Sequence, residues 1–169
     1  IRARRVVVDG LDLAHVRTKC GDLDQSQLAA VMGAEAALHG IAAPLLELAG
    51  DRPTVLFAVN VQHAHQLAEV LCRYRPNVAR AVDGSMPANV RAALLADFAA
   101  RRFQIVVNVA LLTEGWDMPA VSCVAMARPT KSRGLFTQRI GRATRLAEGK
   151  RDALILDFVG NSGRHRLIG

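Results

Sequence analysis

The sequence predicts an α/β fold in which a parallel sheet is covered by helices on both faces. From residue 53 onward, short apolar runs alternate with longer segments of helical periodicity, which is typical of strands joined by crossover helices. The runs at 54–59 and 104–110 are mostly apolar, as expected for strands buried on both faces. Hydrophobic residues make up 51% of the 169 residues and aromatic residues 4%, so we expect an aliphatic core.

Residues 1–52 are interpreted as a lead-in to this sheet, made of a strand and helices. Residues 5–8 predict a short strand, and apolar positions at helical spacing across 11–50 predict about two helices. Residues that favour helix boundaries are Asp24 or Ser26 at the first cap, Gly33 or Gly40 at the break and Gly50 at the end.

Residues 53–169 are interpreted as the sheet domain itself, so that the chain forms one compact unit. The predicted strands are 54–59, 79–82, 104–110, 121–127 and 153–159, and the predicted helices are 62–75, 87–100 and 135–146. Ligands bind at the carboxyl ends of the strands in sheets of this kind. The polar residues that attract attention all follow a predicted strand, so we expect them to meet at one edge.

The charge of the chain favours a polyanionic partner. The formal net charge is +7, and ten Lys or Arg stand against three acids from Arg128 onward. A surface made soluble by arginine is the alternative explanation. The low aromatic content argues against a base-stacking platform such as an OB-fold.

Three isolated cysteines, Cys20, Cys72 and Cys123, form no C-x-x-C pair, so neither a zinc site nor a redox motif is expected and no metal ligands are assigned. Free thiols fit a reducing compartment, and we expect a cytoplasmic location. No apolar run reaches membrane-spanning length, so no membrane partner is expected. Because the first residue is Ile1, we also expect the chain to be a piece of a longer protein.

A helix with two arginines on one face is predicted near the end of the chain. Gln138, Arg142 and Arg145 lie at i, i+4 and i+7, so their side chains share one helix face. Guanidinium groups match phosphate oxygens in a bidentate manner, and Gly141 leaves space beside the stripe for a close approach. A solvated basic helix face is the alternative for such a stripe.

The loop at 112–119 concentrates a hydroxyl, two carboxylates, a glycine and an indole after a predicted strand. For Asp117 the functional interpretation is a carboxylate that accepts a hydrogen bond from a sugar hydroxyl. For Thr113 it is a hydroxyl that contacts a backbone phosphate. The residues alone leave a tight turn with Gly115 at positive φ equally open, and we expect Trp116 to pack in the core.

Together these segments resemble the second RecA-like motor domain of superfamily 2 helicases and translocases, over roughly residues 53–160. Residues 54–60 look like the motif IV strand, and 113–121 and 138–145 look like motifs V and VI. Val82, Asp83, Gly84 and Ser85, followed by Arg91 and Phe98, look like the polar turn and helix between them. The Glu-Gly-Trp-Asp form at 114–117 is similar to the restriction-enzyme and repair-translocase branches, which act on DNA rather than RNA.

The resemblance implies a role for each matching position. Arg142 and Arg145 would be arginine fingers that reach the γ-phosphate of ATP held by another motor domain, with Gln138 joining that phosphate end to the neighbouring domain. Gly115 and Asp117 would approach the nucleotide sugar. The residues expected along the nucleic-acid backbone are Asn60, Gly84, Ser85 and Thr113, with Arg91 in support. Asp83 stands where many relatives carry His, which puts its contact in doubt.

The sequence lacks the other half of such a motor. It contains no G-x-x-x-x-G-K-[ST] loop to hold the phosphates of ATP and no Asp-Glu pair after an apolar strand to hold Mg²⁺. We therefore expect the N-terminal motor domain to belong to the same protein, and the isolated chain neither to hydrolyse ATP nor to bind it tightly. A basic RecA-like module that only binds nucleic acid remains an alternative. A stand-alone nucleotide-binding enzyme is disfavoured because no Gly-rich strand-to-helix turn is present.

Overall fold

The computed structural model describes residues 2–8, 11–20, 22–109, 120–129, 134, 137, 138, 141 and 152–160. In this part of the chain, six strands form one sheet in the order β1-β8-β7-β4-β6-β5, and every neighbouring pair is parallel. The strands are β1 (Arg2–Arg5), β4 (Thr54–Phe57), β5 (Ala79–Val82), β6 (Ile105–Asn108), β7 (Cys123–Met126) and β8 (Leu154–Asp157). The predicted parallel sheet is confirmed.

Two short strands lie outside this sheet. They are β2 (Thr18–Lys19) and β3 (Asp22–Leu23), which pair antiparallel within the lead-in. Among the described residues, four helices can be given bounds: α1 (Gln25–Met32), α2 (Glu35–Ala49), α3 (Val61–Tyr74) and α4 (Ala88–Ala99).

The central strand β4 shows why the apolar runs become buried strands. Successive side chains point to opposite faces of a sheet, and all four residues of β4 are buried. Leu56 packs in the core beneath α2 and α3, whereas Val55 and Phe57 pack in the core beneath α4. Burial of a side chain as large as Phe57 contributes roughly 1.5–3 kcal/mol. Within the described part, helices therefore cover both faces, as predicted.

The lead-in is part of the same sheet. β1 pairs in parallel with β8 and forms one edge, with Arg2 opposite Leu154 and Arg5 opposite Asp157. The prediction placed this strand at residues 5–8, but the ladder uses Arg2–Arg5, and Val8 is instead buried in the core beneath α2. The apolar run after Arg5 was therefore wrongly predicted as a strand. It is a connecting segment that packs against the core.

The two glycines considered for the helix break have different roles. Gly33 ends α1, whereas Gly40 lies inside α2. A Cβ at Gly40 would lie 2.6 Å from Val8 Cγ1, so this glycine permits the close approach of the segment after β1. Asp24 caps α1 by accepting hydrogen bonds from the amides of Ser26 and Gln27.

Among the helices described, none alone is long and apolar enough to cross a membrane. The pair α1 and α2 together reaches that length and composition, but the two helices meet at a bend of 71°. Both contribute buried residues to the core, including Leu28 of α1 and Ile41 of α2.

Candidate nucleic-acid interface

The carboxyl ends of the parallel strands bring two of the predicted contact segments to one edge of the sheet. β4 is followed by Asn60, which begins α3, and β5 is followed by the turn Asp83-Gly84-Ser85. The strands β4 and β5 both flank β6, so these segments lie two strands apart. This edge is where a parallel sheet binds its ligands.

Asn60 is the N-cap residue of α3 at this edge. Its side-chain oxygen accepts a hydrogen bond from the His63 amide at 2.8 Å and so caps α3. The oxygen is thereby engaged within the protein, which leaves the amide NH₂ group as the part of the side chain suited to contact a phosphate oxygen.

Asp83 organises the turn after β5. Its side chain is 2% exposed, and its Oδ1 accepts hydrogen bonds from the Ser85 amide at 2.8 Å and from the Ser85 hydroxyl. Its Oδ2 lies 3.1 Å from His65 Nε2 on α3. The hydrogen bond from the Ser85 side chain is the main reason that the pKa of Asp83 is lowered, and His65 adds to the effect.

These contacts define what the turn offers to a ligand. The Ser85 hydroxyl proton is donated to Asp83, so this side chain presents oxygen lone pairs rather than a donor. Gly84 is open, since a Cβ built there would have no atom within 4 Å. The exposed groups beside it are therefore the Gly84 backbone and the imidazole of His65, which is half exposed.

Arg91 supports the same turn from α4. Its Nη1 donates to the Met86 carbonyl at 3.4 Å, and the residue is partly buried. The guanidinium thus lies close to the segment that follows Ser85, as expected for a residue that supports the track.

Of the residues proposed for the nucleotide site, the structure describes Gln138. Gln138 is helical and exposed, as is Gly141, where an added Cβ would meet no atom within 4 Å. The other predicted positions, Thr113, Gly115, Asp117, Arg142 and Arg145, lie outside the described residues, as does Trp116.

His63 and His65 are two features that sequence reasoning did not find. His63 is 1% exposed, and its Nδ1 accepts a hydrogen bond from the Val59 amide at 3.2 Å. Burial lowers the pKa of His63 to about 4, with the Met32 backbone acting in the opposite direction. His65 turns instead toward Asp83, a residue eighteen positions away.

In the part of the chain that the structure describes, no group of three or more His, Cys, Asp or Glu side chains could hold a metal ion. The basic and polar groups at the carboxyl edge instead suit a ligand with phosphate and sugar oxygens. The parallel sheet with helices on both faces places the described part of the chain in the class of RecA-like α/β domains.

Comparison with known proteins identifies the family of this chain. Residues 38–147 match the model of the helicase conserved C-terminal domain, and the chain belongs to this family. A Schizosaccharomyces pombe protein named as a mitochondrial ATP-dependent helicase, irc3, is 42% identical over 137 residues, which are 80% of this chain and 22% of that protein. A Saccharomyces cerevisiae protein named as an ATP-dependent helicase, IRC3, is 29% identical over 154 residues, or 89% of this chain and 22% of that one. The chain thus spans about a fifth of the length of these relatives.

Solved structures show the same fold. A fragment described as an HsdR subunit of a type I restriction enzyme from Vibrio vulnificus superposes with a TM-score of 0.72 at 24% identity, covering 96% of this chain and 32% of that one. The Mycobacterium smegmatis helicase Lhr, bound to ssDNA and AMP-PNP, gives a TM-score of 0.62 at 23% identity, covering 93% of this chain and 19% of that one. The predicted resemblance to a helicase C-terminal domain and the RecA-like fold are confirmed.

Proposed function

We propose that this chain is the second motor domain of an ATP-dependent helicase or translocase, and that it supplies arginine fingers and part of the nucleic-acid track. One observation carries the proposal. Asn60, Gly84 and Ser85, which the helicase resemblance assigns to the track, follow parallel strands and so lie along one edge of the sheet. The two relatives named as ATP-dependent helicases support the same activity for the longer protein.

ATP bound with Mg²⁺ supplies the free energy for closing and reopening the cleft between two motor domains. Arg142 and Arg145 neutralise the charge that develops on the transferring phosphoryl group, and Gln138 orients that end of the site. Gly115 and Asp117 approach the nucleotide sugar. The exposure of Gln138 is consistent with a side chain that can meet a ligand.

The track binds the phosphates of one nucleic-acid strand. The Asn60 amide, the Gly84 backbone and Thr113 contact the phosphates, and Ser85 and Arg91 hold the shape of the turn. DNA is the proposed substrate, because residues 114–117 have the Glu-Gly-Trp-Asp form of the DNA-translocating branches. Binding is independent of sequence, since phosphates carry no base information.

Arginine substitutions in the longer protein test the catalytic part of this proposal. Arg142→Ala and Arg145→Ala should each lower the ATPase rate by about 10³–10⁵-fold while leaving DNA binding nearly unchanged. The matched control is Arg75→Ala, which removes an exposed arginine that follows α3 and pairs with Gln104. ATPase activity that survives while DNA binding is lost would identify a binding module without a catalytic role.

A second experiment tests the track with the 169-residue chain. Its affinity for single-stranded DNA should fall steeply between about 50 and about 200 mM salt, because bound phosphates release counterions. The same chain should hydrolyse no ATP, because it lacks a phosphate-binding loop and a magnesium carboxylate pair. Affinity that does not change with salt would refute the phosphate contacts, and ATPase activity above background would refute the predicted inactivity.

A further inference from the structure

A groove lies between α1 and the first turns of α3, with Asn60 in its lining. Its volume is about 340 Å³, which is within the range of ligand pockets in proteins. α1 contributes the Ser26 hydroxyl and a floor of small residues that includes Ala30 and Gly33. The small side chains leave the groove open enough for a second chain to enter.

The other wall consists of amide side chains. Asn60, Gln62 and Gln66 line the groove from α3, and each amide carries both hydrogen-bond donors and an acceptor. Among the described residues, no carboxylate and no large apolar side chain lines it. α1 itself contains no acidic residue, and the carboxylate of its cap, Asp24, accepts hydrogen bonds from the Ser26 and Gln27 amides. The surface therefore suits a polar and anionic ligand rather than an apolar peptide.

The Gln66 side chain lies close to the end of α1. A Cβ at Gly33 would lie 3.1 Å from Gln66 Oε1, so the absence of a side chain at Gly33 allows the Gln66 amide to reach across the groove. Gln66 is partly buried, which restricts its side chain before any ligand binds. A restricted amide loses less conformational entropy on binding than a free one.

We propose that this groove binds a sugar-phosphate segment of a single nucleic-acid strand and extends the track from Asn60 onto α1. The inference rests on the proposed function, because Asn60 belongs both to the proposed track and to the groove wall. The groove adds hydrogen bonds from neutral side chains. Such contacts strengthen binding without adding to the number of released counterions.

Ala30 offers a direct test, because this residue lines the groove and is exposed on a helix. Ala30→Glu places a carboxylate in the groove and should weaken binding of a single strand about fivefold to tenfold, through repulsion of nearby phosphates. Ala30→Gln introduces a side chain of nearly the same size as Glu but without the charge. Its affinity for the strand should stay within about twofold of that of the unsubstituted chain. Ala43→Glu makes the same charge change on an exposed position of α2 outside the groove and should also have an effect of about twofold or less.

The measurement is the fluorescence anisotropy of labelled single-stranded DNA and RNA with the 169-residue chain across a range of salt. For whichever of the two probes, DNA or RNA, binds to the chain, Gln66→Ala should lower the affinity. The slope of log affinity against log salt concentration should stay unchanged. Equal weakening by Ala30→Glu and Ala43→Glu would overturn the groove inference and leave the proposed function intact. If the unsubstituted chain bound neither strand in a salt-dependent manner, the proposed track itself would be wrong.

Discussion

The buried imidazole of His63 makes the stability of this chain depend on pH in a predictable direction. In the folded chain the neutral form of the His63 ring is favoured, because burial lowers the pKa of His63 from 6.5 to about 4. In the unfolded chain the His63 ring binds a proton more readily than in the folded chain. Protonation therefore favours the unfolded state as the pH falls below 6.5. The full stabilisation by His63 is therefore present above pH 6.5 and is lost progressively down to about pH 4.

The size of the effect follows from the shift. The difference between 6.5 and about 4 corresponds to about 3 kcal/mol when the loss is complete, since one pKa unit is about 1.4 kcal/mol. At pH 5 about 2 kcal/mol of this is already lost. The lowered pKa of Asp83 contributes at lower pH, because a carboxyl of this kind loses its stabilising charge below its ordinary range.

Urea unfolding at pH 7.5 and at pH 5 measures the effect. His63→Asn removes the titrating ring and retains an oxygen that can accept from the Val59 amide, so its stability should fall by about 2 kcal/mol less than that of the unsubstituted chain over this interval. His15→Asn is the control, because His15 is exposed. If His63→Asn and the unsubstituted chain lost the same free energy of unfolding, the argument from burial would be refuted.

Three further predictions concern the carboxyl edge and the core. Gly84→Ala should leave the thermal unfolding temperature unchanged, because no atom lies within 4 Å of the new Cβ, but should weaken DNA binding in an anisotropy titration; a loss of stability alone would contradict the role of Gly84 in the track. Cys123 should resist alkylation in the folded chain because burial raises the pKa of its thiol to about 12, whereas the exposed Cys20 should react; mass spectrometry of the modified peptides decides this, and early labelling of Cys123 would contradict it. Asp83→Ala should cost about 1–3 kcal/mol of unfolding free energy at neutral pH, since it removes the acceptor of two hydrogen bonds from Ser85, and the difference from the unsubstituted chain should shrink as acid protonates Asp83; a constant difference down to about pH 2 would contradict the ionised role.

The strands beyond residue 53 could be predicted because burial on both faces leaves a local signal. All four residues are buried in β4, β6, β7 and β8, so the apolar runs alone revealed them. β1 carries three arginines in four residues and lies at an edge. Its place in the sheet depends on pairing with β8, a long-range contact that no local pattern encodes.

The candidate site shows the same division. The position of Asn60, Gly84 and Ser85 at the carboxyl edge could be predicted because each follows a strand, and strand ends are local features. The hydrogen bonds of Asp83 with Ser85 and His65 were not predicted, because Asp83 and His65 belong to different elements. The groove between α1 and α3 also requires tertiary packing, since Gly33 and Gln66 come together only when the two helices dock.

The pairing of β1 with β8 constrains the order in which the chain assembles. Arg2 lies opposite Leu154, so this ladder closes a loop that includes most of the chain, and contacts of such sequence separation form slowly. During synthesis the inner strands can associate first, while the amino-terminal segment waits for its partner to emerge from the ribosome. The sheet is therefore completed only after residues 154–157 have been synthesised.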